Sequence, residues 1–105
     1  MANALISETD FLEWLRQLVK LPVYGYAFYH THRSQFSPSG FPDIVLLRLE
    51  PKPRLIFVEL KTEDLENSQP SIYQWVWLYM LQQVPFVEAY LWRPSDRDYI
   101  EKILR

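Results

Sequence analysis

The sequence predicts a mixed α/β domain, with a central mixed sheet flanked by helices in the order helix, three strands, helix, strand, helix. Two observations carry this. Apolar residues recur at helical spacing in SETDFLEWLRQLVK and PSIYQWVWLYMLQQ. Between and after these lie short runs rich in β-branched and aromatic residues, bounded by Pro, Gly and Ser. A length of 105 residues suits one domain spanning 1–105.

The first helix is expected over 7–20. Ser7 is a good N-cap, acids fill the first turn, and Phe11, Trp14, Leu15 and Leu18 mark one buried face. Pro22 ends it. VYGYAFYH (23–30) reads as a strand, THRSQFSPSGFP (31–42) as a loop and DIVLLRLE (43–50) as a second strand. The PKP that follows is a turn, so RLIFVELK (54–61) returns as the hairpin partner. TEDLENSQ is an acidic, solvated loop. The second helix is expected over 70–83, with Pro70 in its first turn and Ile72, Trp75, Val76, Tyr79 and Met80 as its main apolar face. That face is read as core packing or as a subunit interface rather than as a base-stacking platform. FVEAYLW (86–92) is the fourth strand. The chain closes in a short helix capped by Ser95, with Ile100, Ile103 and Leu104 packed inward.

Composition narrows the class. Hydrophobic residues make up 49% and aromatics 16%, enough for a core without staples. There is no cysteine, so neither disulfides nor a thiolate metal site is available. No apolar run reaches the length of a membrane span, and MANALISETD lacks the basic start and apolar segment of a signal peptide. A soluble, cytoplasmic protein with no membrane partner is expected. Net charge is −2, which does not suit a non-specific nucleic-acid binder, although Arg33, Lys52, Arg54, Arg93 and Arg97 could form a local patch. Phosphate-loop and dinucleotide fingerprints are absent, so no nucleotide cofactor is expected.

The chemistry concentrates at Asp43, Glu59 and Lys61. Glu59 and Lys61 are two apart on one strand and share a face. In an antiparallel hairpin the start of one strand lies beside the end of the next, which brings Asp43 to the same place. Two carboxylates there suit a hard cation such as Mg²⁺, and a neighbouring lysine can polarise water or stabilise phosphate charge. A plain salt bridge at a strand end explains the same residues.

Four segments in order, GFPDIVLLR, FVELKTE, a helix with YQWVWL, and VEAYLWRPSD, resemble the VRR-NUC (virus-type replication-repair nuclease) branch of the PD-(D/E)XK nuclease superfamily. Pro42-Asp43 matches the "PD" and Glu59-Leu60-Lys61 the "(D/E)XK". The resemblance covers nearly the whole chain and implies the restriction-endonuclease-like core of that superfamily. It implies that Asp43, Glu59 and the backbone carbonyl of Leu60 bind Mg²⁺ or Mn²⁺, that Lys61 assists the nucleophilic water, and that Gln74 is the site glutamine of the following helix. Glu8 matches an acid of the opening helix near the metal, with Glu13 as its competitor. His30 resembles a histidine preceding the GFPD segment, and with Arg33 is a candidate DNA contact; His32 is weaker still. The implied function is a stand-alone metal-dependent endonuclease acting on structured DNA such as a junction or flap, in a homodimer. The alternative is a catalytically silent DNA- or protein-binding module with the same fold.

Overall fold

The structure is a computed structural model that describes residues 6–31 and 39–105. Among the described residues three helices and one sheet form in the expected order: α1 (Glu8–Lys20), β1 (Ala27–His30), β2 (Ile44–Arg48), β3 (Arg54–Leu60), α2 (Ile72–Gln82), β4 (Val87–Trp92) and α3 (Arg97–Ile103). The strands lie side by side in chain order. The pairs β1–β2 and β2–β3 are antiparallel, and β3–β4 is parallel, with α2 as the crossover. The sheet is therefore mixed, as the sequence predicts.

Side-chain alternation sorts the sheet into two faces. Ile44 and Leu46 of β2, Ile56, Val58 and Leu60 of β3, and Trp92 of β4 point to the same side. Phe11, Leu15, Leu18 and Val19 of α1, with Ile100 and Leu104 from the α3 end, close over them into one buried cluster. The opposite face carries Val45, Phe57, Glu59 and Ala89, and α2 lies against its β3–β4 side. There Gln82 donates to the carbonyl of Ala89 at 3.0 Å.

Five element details differ from expectation, each for a local reason. The strand predicted over 23–30 starts only at Ala27, because residues 21–25 turn: the Tyr24 and Gly25 amides both donate to the Leu21 carbonyl, and Gly25 takes φ +66°. The second strand, expected over 43–50, runs only from Ile44 to Arg48. Pro70 lies outside α2. Ser71 is its cap, accepting from the Gln74 amide at 3.2 Å while the Gln74 side chain returns to the Ser71 amide at 2.8 Å. Ser95 does not cap α3 but sits inside a 3₁₀ turn (Pro94–Asp96), closed by Asp96 accepting from the Arg93 amide. Finally, the α2 face read as core packing or a subunit interface is not in the core: Ile72, Trp75, Val76, Tyr79 and Met80 all lie at the surface, and only Gln74 and Leu78 of this helix are buried.

The end of the sheet near the β2–β3 turn is held by two arginines. Arg48 is buried, stacks on Tyr26 at 4.4 Å, and donates to the carbonyls of Tyr24, Leu104 and Arg105. Arg54 makes a two-point pair with Glu88 (2.6 and 2.8 Å) and also donates to Ile103. Together they supply donors and positive charge to the last carbonyls of α3.

Candidate metal-binding active site

At the opposite end of the sheet, β2 and β3 meet where the hairpin argument places them. Ile44 pairs with Val58, so Asp43 stands beside Glu59. The Asp43 Oδ2 atom accepts from the Leu60 amide at 3.0 Å, which ties the acid across the two strands. Its backbone is fixed from the other side: Thr31, just beyond β1, donates its amide to the Asp43 carbonyl at 2.7 Å, and its hydroxyl to the Pro42 carbonyl at 2.7 Å.

Glu59 is only 1% exposed. Gln74 Nε2 donates to its Oε1 at 2.9 Å, and Lys61 Nζ lies 4.0 Å from the same oxygen. Its Oε2 has no donor. Burial, then the hydrogen bond and negative charge of Asp43, push the Glu59 carboxyl up to about 9; the Lys61 ammonium opposes this and Glu8 adds to it. Two carboxyl groups thus meet in a water-poor place where both cannot be charged without compensation. In the absence of a cation, one proton between them resolves the conflict.

Gln74 does two jobs with one amide. Its Oε1 accepts from the Ser71 amide in the capping box, and that fixes Nε2 toward Glu59. The loop before Asp43 is pinned to the same helix. Gly40 has φ +87°, and a Cβ there would lie 2.5 Å from the Tyr73 carbonyl carbon and 2.7 Å from the Gln74 amide nitrogen. Trp77 Nε1 donates to Ser39 O at 3.1 Å, and Phe41 packs edge-on to Trp77 and Phe57. Two acids and a glutamine from three chain segments are in this way locked into one unit.

A cleft of about 330 Å³ opens on the α1 side, lined by Glu8, Thr9, Leu12, His30, Asp43 and Leu60. Glu8 and His30 therefore share this cleft with Asp43, whereas Glu59 is not among its lining residues. Glu13, the competing acid, is turned to its own helix surface, where it binds Gln17 at 2.8 Å and Arg16 at 3.3 Å. Arg33 and His32 lie outside the described residues. Of the basic patch envisaged from Arg33, Lys52, Arg54, Arg93 and Arg97, three arginines are already engaged. Arg54 is committed to Glu88, Arg93 donates to the carbonyls of Thr62 and Ser68, and Arg97 donates to Pro94 O at 3.1 Å. The Arg93 contacts instead brace the loop that leaves Lys61. Thr31, and the bracing roles of Gly40 and Arg93, are not foreseen from sequence; only the glycine, in a Ser-Gly-Phe-Pro turn, carries a signal, since the others matter through who sits opposite them.

The donor set fits a hard divalent cation. Glu59 Oε2 is buried with no donor, the adjoining Asp43 lines an open cleft, and two neighbouring carboxylates with water completing the shell are what Mg²⁺ or Mn²⁺ takes. Among the described residues no group of three or more His, Asp or Glu that could hold a metal ion is present, so a site here rests on two acids. No helix is long and apolar enough to cross a membrane among the same residues. Compared with known protein families, with curated proteins and with solved structures, the chain matches none.

Proposed function

We propose that this chain is a divalent-metal-dependent nuclease of the VRR-NUC type, hydrolysing phosphodiester bonds in structured DNA. The observation that carries the reading is the meeting of Asp43 with a buried Glu59, whose Oε1 lies 4.0 Å from the Lys61 ammonium and whose Oε2 has no donor. In this reading Asp43, Glu59 and the Leu60 carbonyl hold Mg²⁺ or Mn²⁺. The bound cation supplies Lewis-acid polarisation of a phosphoryl oxygen and acidifies water.

The chain's own residues do the rest. Asp43 is held across the strands by the Leu60 amide, so its carboxylate is presented without loss of order. Gln74 fixes the Glu59 rotamer, leaving Oε2 as the free donor atom. Lys61 places a cation beside the acids, where it orients the attacking water and stabilises charge on the phosphate. Glu8 lines the cleft as a further acid, and His30, with Arg33, is proposed to meet the scissile strand. The same reading gives the protein DNA and a second copy of itself as partners, and the cytoplasm as its setting.

The test is incubation of the purified protein with labelled four-way junction, flap and linear duplex DNA in Mg²⁺ or Mn²⁺. Cleavage should appear, stop with chelator, and fall at least about 100-fold in Lys61→Ala, in line with loss of an electrostatic stabiliser. Binding without cleavage, unchanged by Lys61→Ala, would overturn the nuclease in favour of a silent DNA-binding module.

A further inference from the structure

We propose that the exposed face of α2 is a two-fold interface, covered in solution by the same face of a second copy of the chain. The inference specifies the surface of the homodimer named above and stands apart from the chemistry of the site.

Three observations carry it. The first is the amount and arrangement of apolar surface. Ile72, Trp75, Val76, Tyr79 and Met80 recur at three- and four-residue spacing along one stripe, and each is between 46% and 72% exposed. A packed domain buries such a stripe. Just beyond the helix, Phe86 is 97% exposed. Together the six expose on the order of 800 Å², the share that each partner gives to a standard interface.

The second is charge. From 70 to 87 the sequence contains no Asp, Glu, Lys, Arg or His. A two-fold interface sets each residue of a patch near its own counterpart or that counterpart's neighbours, so a charged patch repels itself and an uncharged one does not. The same lack of charge disfavours the other occupants. Single-stranded nucleic acid needs cations beside the stacking rings, and a helix lying on a membrane carries a charged polar face.

The third is an aromatic ring held out in water. The turn from α2 to β4, closed by the Val87 amide donating to the Val84 carbonyl at 3.2 Å, sets Phe86 at its third position with φ 68°. The turn accounts for the backbone but leaves the ring uncovered. Set against a partner, that ring is an anchor of the kind that dominates interface energies.

The stripe from Ile72 to Met80 has Val76 at its centre. Two such helices packed antiparallel about a two-fold axis bring the two Val76 residues together, with Ile72 of each near Met80 of the other. The site side of α2, Gln74 and Leu78, is buried against its own sheet and takes no part.

The experiment is sedimentation equilibrium of the full chain, with two variants. Wild type should show twice the 12.7 kDa chain mass. Tyr79→Glu should sediment as a monomer with unchanged circular dichroism, since Tyr79 is 64% exposed and its loss opens no cavity. The chain has no cysteine, so Val76→Cys reports geometry cleanly: mild oxidation should link it into a disulfide dimer. A wild-type monomer at roughly 100 µM overturns the proposal. So does a dimer that Tyr79→Glu leaves intact, or a monomer whose single-stranded oligonucleotide binding is lost in Trp75→Ala. Each outcome is independent of whether DNA is cut.

Discussion

Glu59 is the residue on which the site turns. A carboxyl this buried costs free energy whenever it is ionised, and the neighbouring Asp43 raises that cost. The consequence for stability has a definite sign. The folded-state pKa, about 9, lies above the ordinary value of 4.5 that the unfolded chain keeps. Stability from this group is therefore full below about pH 4.5 and is lost as pH rises toward about 9. Glu88 has the opposite sign. Its hydrogen bonds from Arg54 hold its pKa below the ordinary value, so its contribution is present above pH 4.5 and is lost in acid. Chelator-treated protein should then be most stable near pH 5 and melt roughly 5 °C or more lower at pH 8.5, as followed by circular dichroism. In Glu59→Gln the alkaline slope should flatten while the acid slope remains. An alkaline slope unchanged by that substitution would remove Glu59 from this role.

Among the elements, the loop of residues 39–42 and the start of α2 behave as one part. The close approach of Gly40 to the Tyr73–Gln74 backbone is what lets Phe41 wedge between Trp77 and Phe57 and lets Pro42 deliver Asp43 to β3. Alanine at position 40 meets both a contact of 2.5 Å with backbone and a left-handed φ. Gly40→Ala should destabilise the domain by about 2–3 kcal/mol, measured by urea unfolding. Any residual metal binding should weaken with it, because Asp43 and Gln74 are carried by the two segments pushed apart. A substitution of no effect on either would show that the loop does not position the acid.

Across the fold, much was readable from sequence because the signals were local. Ser7 at a helix start, Pro22 after it, and alternating apolar runs fix α1 and the strands through backbone sterics and period alone. The juxtaposition of Asp43 with Glu59 was readable too, since a hairpin needs only its turn to set which ends meet. What was not readable depends on partners distant in sequence. Arg48 and Arg54 look like surface cations, and they are drawn inward by the carbonyls of Tyr24, Ile103 and Leu104. The periodicity of α2 announces an apolar face without saying whether a sheet or another molecule covers it, and of this helix only Gln74 and Leu78 are buried. Gln74 was readable as a polar residue in need of a partner, but not as a residue shared between a helix cap and a buried acid.

The account stands on Asp43 and Glu59 forming a seat for a divalent cation, and calorimetric titration of Mn²⁺ into the metal-free protein near pH 8 examines this without reference to cleavage. Wild type should bind Mn²⁺ with release of protons from the carboxyl pair, and Asp43→Asn should bind at least about 10-fold more weakly, since loss of one of two carboxylates leaves the cation under-compensated. Equal binding by Asp43→Asn, or no binding by wild type at millimolar Mn²⁺, would contradict it.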